Sequence, residues 1–227
     1  MPLRVPFKTA LRTVNSVEDV VVEIHTDTGA VGYGEAPPTG VITGDTTGAI
    51  IGANQAWTPK QAVKILNAMQ HQGLGIELVE QPVKAHNFEG LKYVTERSYV
   101  PVLADESVFS PEDAMTIMQM GAADLINIKL MKCGGLYNAL KIVSAAEVFG
   151  VECMIGCMLE TKISVNAAVH LACAKNIITK VDLDGPVLCS EDPILGGAVF
   201  NEKIITVSDA PGLGIRGIEP GRLVYLD

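Results

Sequence analysis

Ile76-Glu-Leu-Val-Glu80-Gln-Pro82, Val102-Leu-Ala-Asp105-Glu106 and Leu125-Ile-Asn-Ile-Lys129 decide how this chain folds. Each is a short, nearly all-apolar run that ends in a charged residue. Val151-Glu-Cys-Met-Ile155 and Val181-Asp182-Leu-Asp184 continue the series. The runs end at residues 80, 105, 129, 155 and 184, spacings of 25, 24, 26 and 29 residues. Runs this short and this apolar read as strands covered on both faces. A stretch that reads as a helix follows each of the first four, and strands alternating with helices predict a parallel sheet with helices outside it. The period is that of a β/α barrel, in which chemistry sits on the C-terminal ends of the strands. Glu80, Asp105 and Lys129 stand at those ends.

The helix signals are local. Thr58-Pro59-Lys-Gln61 is a capping box with proline at the first helical position, and Ala62, Ile65, Leu66 and Met69 mark one face. Gly73 is the expected end of that helix. Ser110-Pro111-Glu-Asp113 opens a second helix that Gly121 closes, Leu136 to Phe149 is a third that Gly150 closes, and Ser164 to Ala174 is a fourth. Residues 1–50 read differently. Val20–His25 and Ala30–Glu35 form a hairpin around Asp27-Thr-Gly29, followed by a Gly/Thr-rich loop over 41–48. Past residue 186 the pattern weakens, and Gly196-Gly197 and 211–215 read as loops.

Composition narrows the function. Of 227 residues, 48% are hydrophobic and 19% charged, so a large core is expected. The net charge of −9, with no basic cluster to offset it, argues against nucleic acid and anionic membrane as partners. No apolar run reaches the roughly 20 residues of a membrane span, and the first residues lack a signal-peptide pattern. Five cysteines, an odd number in mostly apolar surroundings, read as reduced thiols of a cytoplasmic protein.

Two carboxylates and a lysine at barrel strand ends suit removal of a proton next to a carboxylate, a reaction that needs a divalent cation and an amine base. Taken singly, Glu80 and Asp105 also read as caps of the following helices. The segments Pro6-Phe-Lys-Thr-Ala-Leu-Arg12-Thr, Gly34-Glu-Ala-Pro-Pro38, Thr43-Gly-Asp45, Val79-Glu80-Gln-Pro82, Ala104-Asp105-Glu-Ser107, Asn127-Ile-Lys129-Leu-Met-Lys132 and Pro211-Gly-Leu-Gly214 add a resemblance. In this order they resemble the dipeptide epimerases of the enolase superfamily, in its muconate-lactonising subgroup.

The resemblance implies an enolase-type (β/α) barrel with an N-terminal α+β capping domain, and Mg²⁺-dependent epimerisation of acidic dipeptides such as L-Ala-D/L-Glu from cell-wall peptide. It implies Glu80 and Asp105 as Mg²⁺ ligands and Lys129 as the acid/base. Asp182 and Asp184, two apart on one strand, would hold the substrate's ammonium, and Arg12 would meet its acidic side chain. An exposed loop arginine is also often only solvated. The chain departs from the family between the capping hairpin and Gly52. Ile50-Ile51-Gly52-Ala53-Asn54-Gln55 matches the end of a third barrel strand with Gly52 in place of a metal carboxylate, and the lysine pair of the second strand has no counterpart. The expected architecture is therefore an incomplete barrel of five to six strands out of eight. It comprises a partial capping domain over 1–50, a partial barrel over 51–190, and a C-terminal segment over 191–227 that packs back on the capping domain. The alternative function is a catalytically inactive remnant or assembly fragment. Within enzymes it is another muconate-lactonising or N-acyl amino acid racemase reaction. Two open sheet edges invite pairing between copies, so a homo-oligomer is also expected.

Overall fold

The computed structural model of the protein describes residues 1–8, 13–16, 20–25, 29, 31–36, 50–201 and 204–222. Two antiparallel pairs come first: β1 (Pro2–Lys8) with β2 (Thr13–Ser16), and β3 (Val20–His25) with β4 (Val31–Ala36). The second is the hairpin expected from sequence. Arg12 and the Gly/Thr-rich loop over 41–48 lie outside the described residues.

The alternation then begins with β5 (Ile50–Gly52), α1 (Pro59–His71), β6 (Leu78–Glu80), α2 (Phe88–Thr95), β7 (Val102–Ala104), α3 (Pro111–Met120), β8 (Leu125–Lys129), α4 (Leu130–Cys133), α5 (Leu136–Phe149), β9 (Glu152–Gly156), α6 (Lys162–Ala174) and β10 (Ile178–Asp182). The capping box of α1 is present: Gln61 N donates to Thr58 Oγ1 (3.4 Å) and Thr58 N to Gln61 Oε1 (3.0 Å). Ser110 caps α3 through Asp113 N (3.1 Å), and Asn87 caps α2 through Gly90 N (2.9 Å).

Six strands form one sheet in the order β10-β9-β8-β7-β6-β5, and the paired registers are parallel throughout. This is the sheet expected of a (β/α) barrel, with six strands. Lys180 on β10 pairs with Glu77 at the entry to β6 at 2.6 Å, although β7, β8 and β9 lie between those strands in the sheet. An ion pair of that reach requires the sheet to be rolled rather than flat. Leu78, Leu103, Leu125 and Met154 form a buried apolar layer from four neighbouring strands.

Two sequence readings are corrected here. The strand read over Val181–Asp184 runs from Ile178 to Asp182. Asp184 lies beyond it, and its carbonyl accepts from Val187 N (2.9 Å) and Leu188 N (3.2 Å) in the short α7 (Gly185–Leu188). The segment past residue 186 also carries strands: β11 (Ile194–Gly196) pairs with β14 (Ile215–Ile218), and β12 (Val199–Asn201) with β13 (Ile204–Thr206), all antiparallel.

Packing divides the chain into two compact units. One holds Met1–Val41, Cys157–Ala174 and Leu183–Asp227; the other holds Ile42–Gly156 and Lys175–Asp182. In the first, Leu3, Leu159 and Cys189 form a small apolar core, and Leu3 bridges to Cys189. In the second, the buried faces of α1 (Ala62, Leu66), α2 (Leu91, Val94), α3 (Ala114, Ile117) and α5 (Ile142, Val143) join the strands in the core. Among the described residues no helix is long and apolar enough to cross a membrane.

Candidate active site

The side chains on one face of a strand recur every second residue, so the residue two beyond each member of the apolar layer sits above it. Above Leu78 is Glu80, above Leu103 is Asp105, and above Leu125 are Asn127 and Lys129. All are buried: Glu80 at 1%, Asp105 at 0%, Asn127 at 0% and Lys129 at 2% exposure. Charges so far from water persist only when paired.

The pairing is dense. Lys129 Nζ donates to Asp105 Oδ2 at 2.8 Å, and Asn127 Nδ2 donates to Glu80 Oε1 at 2.6 Å. Lys132, in α4, brings a second ammonium 2.5 Å from Asp105 Oδ1 and donates to the carbonyls of Asp105 (2.5 Å) and Asn127 (3.2 Å). Gly156 on β9 lies beside Lys129 in the ladder. A Cβ there would stand 2.9 Å from Asn127 Oδ1 and 3.0 Å from Lys129 Cε, so the glycine makes room for the lysine stem.

The electrostatics follow from burial and these contacts. Burial, with the charge of Asp105 next, pushes Glu80 up to about 7. Burial also acts to raise Asp105, but Lys129 and Lys132 outweigh it and hold the carboxyl below its usual range. Lys129 is opposed by burial yet held protonated above the ordinary lysine range by Asp105 and Glu80. Lys132 is lowered, chiefly by burial. Glu106 is raised by burial and by Asp105.

The site contains acceptors that the protein leaves unmet. Glu80 Oε2 and both carboxylate oxygens of Glu106 are buried without a hydrogen-bond partner. Orphaned carboxylate oxygens beside a strand-end carboxylate are the hard donors that suit Mg²⁺, so the residues present fit such an ion. Among the described residues no group of three His, Cys, Asp or Glu side chains has the spacing of a complete metal site. Gly52, the register partner of Glu80 on β5, offers no side chain to extend the set.

The structure therefore brings Glu80, Asp105 and Lys129 together. Asp182 closes β10 and pairs in register with Gly156 of β9, which is also the register partner of Lys129 on β8. Asp184 belongs to the other compact unit, and Arg12 is outside the described residues. Sequence reading gave no role to Asn127, Lys132, Glu106 or Gln81. The i, i+3 spacing of Lys129 and Lys132 at a helix start was the available signal for Lys132.

Comparison with known proteins decides the lineage. Residues 42–219 match the family model described as enolase C-terminal domain-like. The chain belongs to that family. An L-Ala-D/L-Glu epimerase of Clostridium acetobutylicum is 41% identical, with 96% of this chain and 96% of the relative covered. The alignment runs over 344 positions although the chain has 227 residues, so the relative carries a long internal stretch with no counterpart here. The structure of a substrate-liganded L-Ala-D/L-Glu epimerase from Bacillus subtilis superposes with a TM-score of 0.91 at 33% identity, covering 96% of each chain. A dipeptide epimerase from Enterococcus faecalis, solved with Mg and L-Leu-L-Tyr, gives 0.87 at 31% identity, covering 94% of this chain and 96% of that one.

Proposed function

We propose that this chain carries a Mg²⁺-assisted site for abstracting the α-proton of a dipeptide, in the manner of dipeptide epimerisation, with acidic dipeptides such as L-Ala-D/L-Glu as substrates. The observation that supports it best is the buried contact of Lys129 with Asp105 beside Glu80, at the C-terminal ends of adjacent barrel strands. The relatives named as dipeptide epimerases point the same way.

In this reading Glu80 and Asp105 hold the cation, which supplies Lewis-acid stabilisation of the negative charge that builds on the substrate carboxylate and offsets the carboxylates that keep Lys129 protonated. Lys129 then takes or returns the α-proton at Nζ. Asn127 fixes Glu80 by its hydrogen bond to Oε1, and Lys132 keeps Asp105 charged when Lys129 turns to substrate. Asp182 and Asp184 receive the substrate's ammonium, and Arg12 receives its acidic side chain.

A second reading, a site that is retained without turnover, is favoured by Gly52, which leaves the position beside Glu80 without a carboxylate. One experiment separates the two. L-Ala-L-Glu and L-Ala-D-Glu are incubated with protein and Mg²⁺ in D₂O, and α-deuterium uptake is followed by NMR. Uptake from one epimer, lost in Lys129→Ala, supports proton abstraction by Lys129 on one face of the substrate. No uptake from either epimer, with protein shown to be folded by circular dichroism, supports the second reading.

A further inference from the structure

Gln81 has a backbone that its residue type does not favour. Its φ is +38°, in the left-handed region, and it is one of three non-glycine residues with positive φ among those described. Such a conformation is strained for a residue with a Cβ and persists only where the surroundings hold it. The turn falls directly after Glu80, and the side chain is fully buried.

That side chain satisfies both ends of its amide. Nε2 donates to Val83 O (3.0 Å) and to Ser107 Oγ (2.8 Å), and Oε1 accepts from Asp105 N (2.9 Å) and Ser107 N (3.1 Å). Ser107 Oγ passes the chain on to Ala85 O at 2.6 Å. The main chain of Gln81 is gripped as well: its N–H donates to Leu103 O (2.9 Å), and its carbonyl accepts from Gln55 N (2.7 Å). The residue after one strand-end carboxylate thus binds the backbone amide of the other. Core packing alone would be served by an apolar side chain, without the strained turn and without an amide aimed at Asp105.

We propose that Gln81 is a positioning residue that fixes the spacing of Glu80 from Asp105, and through that spacing sets the affinity of the site for a divalent cation. The inference rests on the reading of Glu80 and Asp105 as the cation's ligands. Gln81 touches neither substrate nor ion; it acts through the main chain of both carboxylates. Outer partners that orient metal ligands change affinity by about 10–100-fold when removed.

The test is Mn²⁺ binding by electron paramagnetic resonance on the full chain, comparing wild type, Gln81→Gly and Glu80→Gln. Glycine accepts the positive φ, so Gln81→Gly removes the amide while relieving the turn. The expected result is a folded Gln81→Gly protein that binds Mn²⁺ about 10–100-fold more weakly and whose Asp105 and Ser107 amides exchange with solvent faster than in wild type. A folded Gln81→Gly protein with wild-type affinity, while Glu80→Gln loses binding, overturns the role of Gln81 and leaves the cation site intact. Wild-type affinity in Glu80→Gln, or no Mn²⁺ binding by the wild type, overturns the cation reading and this inference with it. Should Gln81→Gly not fold, Gln81→Met keeps the side chain's length without its four hydrogen bonds, and the same affinities decide.

Discussion

The same four strands carry two layers that could hardly differ more. Leu78, Leu103, Leu125 and Met154 form a dry apolar layer, and two residues further along the first three are Glu80, Asp105 and Asn127, with Lys129 above. The apolar layer gains from being removed from water. The polar layer is costly to bury, and its members survive only through mutual contacts at 2.5–2.8 Å. A protein selected for stability alone would not keep a lysine and two carboxylates at these positions. The lower layer therefore reads as what holds the sheet, and the upper layer as what acts.

The sharpest way to break this contrast is to remove one group from each layer. Lys129→Met deletes the ammonium and keeps the stem. It is expected to lower α-deuterium uptake about 10²–10⁴-fold, the usual worth of a positioned acid/base, as read by NMR in D₂O. Leu103→Ala, at 0% exposure, is expected to cost about 2–5 kcal/mol in urea unfolding through the cavity it leaves. Gly156→Ala tests the boundary between the layers. Its Cβ would crowd Asn127 and Lys129, both buried and held by hydrogen bonds to Glu80 and Asp105, so a loss of about 1–3 kcal/mol in urea unfolding is expected. Uptake is expected to fall about 10–100-fold as Lys129 is displaced, since small misplacements are costly to catalysis. An unchanged rate in Gly156→Ala would mean that the position of Lys129 is not critical.

The last effect concerns pH. Burial, with Glu147 and Glu152 adding charge, pushes the Cys153 thiol from the ordinary 9.0 up to about 12. Below the lower value the thiol is protonated in both states and contributes no slope. Between the two, the unfolded chain has lost the proton that the folded chain keeps, so rising pH favours unfolding. The expected loss is about 1.4 kcal/mol per pH unit across that window. Across that window the urea midpoint of the wild type should fall more steeply with pH than that of Cys153→Ala, which lacks the thiol, and parallel slopes would contradict the assignment.

Much of the fold was legible because its signals are local. Thr58-Pro59-Lys-Gln61 and Ser110-Pro111 fix helix starts by capping chemistry that needs no tertiary context. The strands ending in Glu80, Asp105 and Lys129 are covered on both faces, which leaves an unbroken apolar run to read. β10 is an edge strand with Thr179 and Val181 exposed. Its alternating pattern hid its first three residues and pushed Asp184 onto a strand that ends at Asp182. The three-residue strands past 190 are too short to show a period. In the site, the charged strand ends were visible, but the partners that make them tolerable were not. Asn127 reads as one polar residue in an apolar run, and nothing in Gln81-Pro82 marks in sequence the positive φ that Gln81 adopts.

The most direct test of the two-layer account is α-deuterium uptake per folded molecule, measured side by side in wild type, Lys129→Met and Leu103→Ala with Mg²⁺ below their unfolding temperatures. The account predicts uptake lost in Lys129→Met and retained in the less stable Leu103→Ala. Equal rates in Lys129→Met and wild type, or equal losses in both variants, would contradict it.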